Sequence, residues 1–193
     1  MTKALKKILY VNAALRSESR TAALALYSAK KLDGEVKELR LCEKPFPVLN
    51  SELLSFRDKA IAAGDFSDKL FEPARLFAEA DEILIAAPYY DLSFPAALKQ
   101  FFEQINIIGL TFAYDEQGRA YSLCRAKRLI YVTTAGGSIV SDEYGFGYVK
   151  ALAGYFYGID SCIYIKAEGL DIAGADVDEI LNKARLDIDR LLD

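Results

Sequence analysis

The chain has 193 residues, 52% hydrophobic and 27% charged, a globular balance that excludes a disordered, collagen-like or coiled-coil chain; this length makes one domain, residues 1–193, the default. Lys plus Arg number 24 against 28 for Asp plus Glu, a formal net charge of −4, so a general electrostatic grip on nucleic acid is not expected. Histidine is absent, which removes His triads, His-ligated zinc and His general bases and leaves a cofactor or another side chain to carry any chemistry.

Residues 7–12, KILYVN, are a short apolar run bounded by a small, polar loop and predict a buried strand. Residues 19–32 have helical spacing, a serine at the N-cap position and basic residues before Gly34, predicting a helix marked at both ends. EVKELRL over 35–41 alternates polar and apolar residues, as a strand exposed on one face near a sheet edge does. Pro45 and Pro47 then force an extended surface loop over 42–50. Helices are expected over 51–62 and 67–80. EILIAA over 82–87 is the most strand-like run and ends at Pro88, which has no amide hydrogen for the ladder. A helix over 95–105 starts with Pro at its first position. Residues 111–126 read as a hairpin or exposed excursion around Asp-Glu-Gln-Gly. A strand over 128–133, an aromatic helix over 144–157, a strand over 162–166 and an amphipathic helix over 176–192 complete the chain.

Alternating strands and helices predict a parallel sheet joined by right-handed crossovers with helices on both faces, a three-layer α/β sandwich. Five strands with an edge-like second one fit the flavodoxin-like order 2-1-3-4-5. The cysteines, Cys42, Cys124 and Cys162, are odd in number and widely spaced, which fits neither a disulfide framework nor a zinc site. No apolar run is long enough to span a membrane, and the Lys-rich start leads into a strand rather than a signal-peptide core. The expectation is a cytoplasmic protein with no metal, no membrane and no nucleic acid among its partners.

Ligands of such a sheet bind beyond the carboxyl ends of the strands, near the switch point between the first and third. Three loops meet there. AALRSESR presents Ser17, Ser19 and the following Thr21 with Arg16 and Arg20 at the start of a helix, where free amides and the dipole favour an anion. The same serines would serve as caps only, and the local sequence does not choose between the two. PYYDLSFP places Pro88, Tyr89, Tyr90, Asp91 and Leu92 between a buried strand and a helix, a composition suited to a flat ring or simply to core packing. TTAGGS, with Thr134, Ala135, Gly136 and Gly137, gives bare backbone for close approach, or only a turn. An anion site, an aromatic clamp and bare donors at one sheet edge describe a mononucleotide such as FMN, whose ring would answer the missing histidine.

At these loops the sequence resembles the FMN-dependent NADH:azoreductase and NAD(P)H quinone reductase family of flavodoxin-like enzymes. The resemblance runs through IAAPYYDLSFPAALKQFFEQI, GLTFAYDEQG and TTAGGS, recurs in GYFYGI and KAEG, includes the loop KPFPVL and spans nearly the whole chain. It implies that Ser17, Glu18 and Ser19 fall on a phosphate segment, Tyr89 to Leu92 on a ring segment and Thr134 to Gly137 on a second ring-side segment. It also implies that Phe112 and Phe156 line the substrate pocket at a homodimer interface. The family has serine where Ala13 and Ala14 stand, which assigns part of the phosphate shell to Arg16. Asp91, which only accepts hydrogen bonds when ionised, replaces an asparagine, which can also donate, and Ala135 replaces an arginine. The implied activity is ping-pong, two-electron reduction of quinones or azo compounds by NADH or NADPH on bound FMN, with no catalytic side chain. The alternatives are a flavodoxin-like electron carrier and a flavin-binding or regulatory protein without reductase activity.

Overall fold

The computed structural model describes residues 5–43 and 46–192. Strand β1 (Lys7–Asn12) leads to helix α1 (Arg20–Ala29), then β2 (Glu35–Arg40), α2 (Ser51–Ala63), a 3₁₀ turn (Lys69–Phe71), α3 (Glu72–Glu79), β3 (Glu82–Ala86) and α4 (Ala96–Ile105). Strands β4 (Phe112–Tyr114) and β5 (Ala120–Ser122) follow, then β6 (Arg128–Thr134), a π turn (Glu143–Gly147), α5 (Tyr148–Tyr155), β7 (Ser161–Ala167) and α6 (Val177–Leu192). β4 and β5 pair antiparallel as a small hairpin, so the expected excursion over 111–126 is a hairpin. The other five strands form one parallel sheet in the order β2-β1-β3-β6-β7. With the hairpin set aside, this is the predicted 2-1-3-4-5 of a flavodoxin-like fold.

Strand periodicity distributes the core between two faces. Leu9, Val11, Ile83, Ile85, Leu129 and Tyr131 face one way and pack with Phe71, Phe77, Phe101, Phe102, Leu152 and Tyr157. Ile8, Tyr10, Leu84, Ile130 and Val132 face the other way, against Leu24 and Ala25 of α1 and Ala184 and Ile188 of α6. β3 is buried at every position, as a central strand must be, whereas only Leu39 of β2 is even partly covered. The charges along β2 protect an otherwise open edge from pairing with another chain.

Several expected boundaries move for local reasons. Residues 19–32 give an α-helix that stops at Ala29. The amides of Lys31 and Leu32 bond three residues back, to Ser28 and Ala29, so the chain tightens into a 3₁₀-like turn before Gly34. The single helix expected over 67–80 is a 3₁₀ turn followed by α3, with Pro73 in the first turn of α3, where its missing amide costs nothing. Pro95 is the residue before α4 rather than its first residue. The helix expected over 144–157 begins as a π turn, in which the Gly147 amide reaches back to the Asp142 carbonyl at 2.7 Å. Tyr157 lies beyond its end. Of the expected proline loop over 42–50, Lys44 and Pro45 lie outside the described residues, as do residues 1–4 of the Lys-rich start.

Seven aromatics, Phe101, Phe102, Phe112, Tyr114, Tyr155, Phe156 and Tyr157, look from composition like more than one chain can bury. That expectation is corrected for four of them. Phe101, Phe102, Phe112 and Tyr157 are all buried inside this chain, and only Tyr114 and Tyr155 are exposed.

Candidate functional site

The strand ends are held side by side before their loops diverge. The Ala13 amide bonds the Ala86 carbonyl at 2.8 Å, the Tyr89 amide bonds the Thr134 carbonyl at 3.0 Å and the Ala135 amide bonds the Ala167 carbonyl at 2.9 Å. These ladder-like bonds extend the sheet past its last strand residues and fix where each loop departs. Thr134 is itself the last residue of β6, and its hydroxyl meets that of Thr21 in α1 at 2.7 Å. The loop after β6 is thereby tied to the first turn of α1.

Between these loops lies a polar cleft of about 160 Å³, lined by Arg16, Glu18 and Ser19 from the first loop, Pro88, Tyr89 and Tyr90 from the second, and Thr134, Ala135 and Gly136 from the third. Nine of the thirteen cofactor-site residues expected from sequence are thus brought together. Arg20 and Thr21 of α1 and Leu170 and Asp171 complete the lining. Ser17 is exposed outside it, and Gly137 is exposed with its carbonyl accepting from the Gly169 amide at 2.9 Å. Ser19 holds both of its expected parts: it lines the cleft, and its hydroxyl accepts from the Ala22 amide at 3.2 Å as the cap of α1. Ala13 and Ala14 are buried, so no side chain from them reaches the cleft.

The loop after β3 turns back on itself at its tip. Tyr90 and Ser93 exchange two backbone hydrogen bonds, of 2.9 and 2.8 Å, around Asp91 and Leu92. Both central residues have positive φ, 49° and 69°, the arrangement of a type I′ turn, which side chains other than Asn, Asp and Gly adopt at a cost. Asp91 and Leu92 are exposed at this tip, beside the cleft opening rather than within its lining. The Ser93 hydroxyl donates to the Tyr144 carbonyl and anchors the turn to the π turn before α5. The hydroxyl of cleft residue Tyr89 is buried without a hydrogen-bond partner, a cost on the order of 1–3 kcal/mol unless a ligand or water meets it.

Electrostatically the cleft is balanced, with Arg16 and Arg20 against Glu18 and Asp171. Arg20 is the first residue of α1, and both of its terminal nitrogens contact Asp171 Oδ1 at 3.0 Å. Nearby, the Ile139 amide donates to Glu168 at 2.8 Å, and this bond, with Lys166 assisting, holds the Glu168 carboxyl below its ordinary value. No cysteine lines the cleft. Cys124 is buried in the excursion, where burial pushes its thiol up to about 12, so it stays protonated and unreactive. Among the described residues no group of acidic, cysteine or histidine side chains is placed to hold a metal.

A family model for the flavodoxin-like fold matches residues 6–192. The sequence is 33% identical to an FMN-dependent NADH:quinone oxidoreductase 2 of Clostridium acetobutylicum, covering 92% of this chain and 93% of that one. It is 31% identical to an FMN-dependent NADH:quinone oxidoreductase of Clostridium beijerinckii, covering 93% and 94%. The chain belongs to this family of flavodoxin-like oxidoreductases. A crystal structure of an azoreductase from Bacillus anthracis superimposes with a TM-score of 0.82 over 97% of this chain and 99% of that one at 21% identity, which bears on the fold.

One wall of this oxidoreductase's cleft was not assigned from sequence. The loop after β7 is a fourth wall, pinned to the third loop by bonds from the Leu170 amide to the Ala135 carbonyl at 3.2 Å and from the Asp171 amide to the Gly136 carbonyl at 2.8 Å. Its signal was present, because KAEG stands at the carboxyl end of a strand in the same sheet, where ligand loops are expected. Phe112 and Phe156 are in contact, with ring centroids 4.5 Å apart, yet neither lines the cleft. They form a separate aromatic station between the hairpin and the end of α5.

Proposed function

We propose that this flavodoxin-like oxidoreductase binds FMN at the cleft and uses NADH or NADPH to reduce quinones or azo compounds by a ping-pong, two-electron mechanism. One observation carries the reading: three loops distant in sequence converge on a single polar cleft at the N-terminus of α1, in a chain whose curated relatives are named FMN-dependent NADH:quinone oxidoreductases.

The residues present fit a mononucleotide phosphate. The free amides of α1 and the Arg16 and Arg20 guanidiniums favour an anion. The cleft volume is below the roughly 300–1,000 Å³ of pockets that enclose a whole small ligand. It therefore suits one end of FMN, held between the start of α1 and the Gly136–Asp171 wall, with Tyr89, Tyr90, Asp91 and Leu92 left to border the ring. Bound FMN supplies the hydride-accepting ring. The protein contributes binding, orientation and exclusion of water, which is why a chain without histidine suffices.

The Phe112–Phe156 station supports a homodimer with shared sites. Because it stands apart from the cleft of its own chain, it serves a substrate pocket when a second copy brings it to the neighbouring cleft. Each chain acts as one domain, and the three unpaired cysteines favour the reducing cytoplasm. Among the described residues no helix is long and apolar enough to cross a membrane.

The protein should purify yellow, with about one FMN per chain. Anaerobic addition of NADH or NADPH should bleach the flavin absorbance, and a quinone added afterwards should restore it. A colourless protein that fails to take up added FMN would exclude the reading.

A further inference from the structure

The ion pair across the cleft bears directly on how strongly that cleft can hold a phosphate. Arg20 is the cation best placed for an incoming anion, since it opens α1 where the helix dipole is positive. Its guanidinium is already engaged: NH1 and NH2 both contact Asp171 Oδ1 at 3.0 Å, and NH1 also reaches the Leu170 carbonyl at 3.3 Å. The other Asp171 oxygen, Oδ2, rests over the backbone of Gly136 in the space a Cβ would fill, so any larger residue there would overlap it. The carboxylate is not on a loose loop. The Gly169, Leu170 and Asp171 amides bond the Gly137, Ala135 and Gly136 carbonyls at 2.9, 3.2 and 2.8 Å. A negative group is thus held in the wall of the cleft, spanning the loop after β6 and the start of α1.

We propose that Asp171 is an internal competitor for the cofactor's phosphate, a specificity-determining residue that takes up Arg20 and narrows the cleft's preference for FMN over riboflavin. The proposal rests on the reading of the cleft as an FMN site. A phosphate monoester brings about 1.5 to 2 negative charges at neutral pH and meets a fixed carboxylate on the arginine that would receive it. Riboflavin shares the ring and ribityl chain but has no phosphate, so Asp171 leaves its binding unaffected. Arg16 has no such carboxylate partner among the described contacts of the cleft and remains the cation open to the phosphate.

Asp171→Asn tests this, because the amide oxygen preserves the shape over Gly136 and a hydrogen bond to Arg20 while removing the charge. FMN and riboflavin are titrated separately into the full-length, flavin-depleted wild type and variant, and binding is read from flavin fluorescence. Asp171→Asn is expected to tighten FMN about tenfold, the scale of one like charge removed near a partly exposed site, and to change riboflavin by less than about twofold. Asp171→Ser carries the same expectation and serves if the asparagine variant does not fold. Wild type that binds FMN with no gain in either variant would overturn the competition alone. So would a weaker FMN complex, which would make Asp171 a residue that positions Arg20 for the phosphate, or an equal gain for both flavins. Wild type that binds neither flavin would overturn the FMN reading and the competition with it.

Discussion

Leu92 occupies a backbone conformation that its side chain does not favour. Its φ of 69° follows an Asp91 φ of 49°, and non-glycine residues in this region cost on the order of 1 kcal/mol or more. Leu92 is 48% exposed, so little burial offsets that cost, and the two backbone bonds between Tyr90 and Ser93 hold the turn closed. Such strain is characteristic of segments that must present particular groups to a ligand. Leu92→Gly is expected to leave the unfolding free energy from urea melts unchanged or raise it by up to about 1 kcal/mol, while impairing hydride transfer from the nicotinamide if the side chain borders the ring. A loss of more than 1 kcal/mol would instead show that the leucine side chain stabilises the fold. Asp91→Asn is the companion substitution, since both residues tolerate this conformation. An effect on the flavin potential would then report the lost charge and the gained amide donor rather than a change in backbone conformation. Nothing in the sequence marked this turn, because its sign is a backbone angle and neither Asn-Gly nor Asp-Gly is present at its centre.

At the scale of elements, legibility followed how local the determining interactions are. β1, β3 and β6 were readable because their apolar runs are buried on both sides and bounded by Pro, Gly or polar residues. The interruptions of α3 and α5 were harder, since Pro73 and the Gly145 and Gly147 pair sit inside otherwise helical patterns. KAEG marked the loop after β7 as lying at the ligand end of the sheet, but its packing as a cleft wall was not legible, because it depends on backbone bonds to residues about thirty-five positions earlier. Also invisible was a polar clamp at the opposite end of the sheet from the cleft. Glu82, the first residue of β3, has a side chain only 7% exposed and lies 2.8 Å from Lys6 and 2.7 Å from Arg128. Burial alone would raise its carboxyl, but hydrogen bonds and charge from Lys6 and Arg128 more than offset this and hold it below its ordinary value. A carboxyl depressed in the folded state contributes stability above its unfolded pKa of about 4.3 and loses it as pH falls through the folded value. Glu82→Gln is expected to cost about 1–3 kcal/mol near pH 7. The gap from wild type should narrow as pH falls below about 4.3 and close only once pH lies below the depressed folded value, where both side chains are neutral. Urea melts at pH 7 and pH 3.5 check this, and an equal gap at both would assign the cost to packing.

For the molecule as a whole, the proposed homodimer would have the aromatic station as the surface a second copy covers. Tyr114, Phe112, Phe156 and Tyr155 form a continuous chain of ring contacts, with centroid separations of 5.5, 4.5 and 4.8 Å, from the hairpin to α5. The inner pair is covered or half-covered within the chain, and the outer tyrosines are 45% and 62% exposed. Tyr121 and Leu123 of the hairpin segment are also 49% and 40% exposed, so the apolar surface is contributed by neighbouring stretches of chain and is not a scatter of single residues. A twofold axis through such a face would match it with itself and place each aromatic pair against the other chain. Sedimentation at micromolar concentration should therefore report about twice the chain mass. Tyr155→Glu places a charge in the face without disturbing either core, so it should shift the protein to monomer while moving the unfolding free energy by no more than about 0.5 kcal/mol. Phe156→Ala should raise the quinone KM and leave FMN content unchanged, because Phe156 does not line the cleft. The decisive comparison is between the two variants. If the substrate pocket spans two chains, the Tyr155→Glu monomer keeps its flavin and its bleaching by nicotinamide but loses much of its quinone turnover. A wild-type monomer with full quinone turnover would remove the shared pocket and leave the Phe112–Phe156 contact as packing.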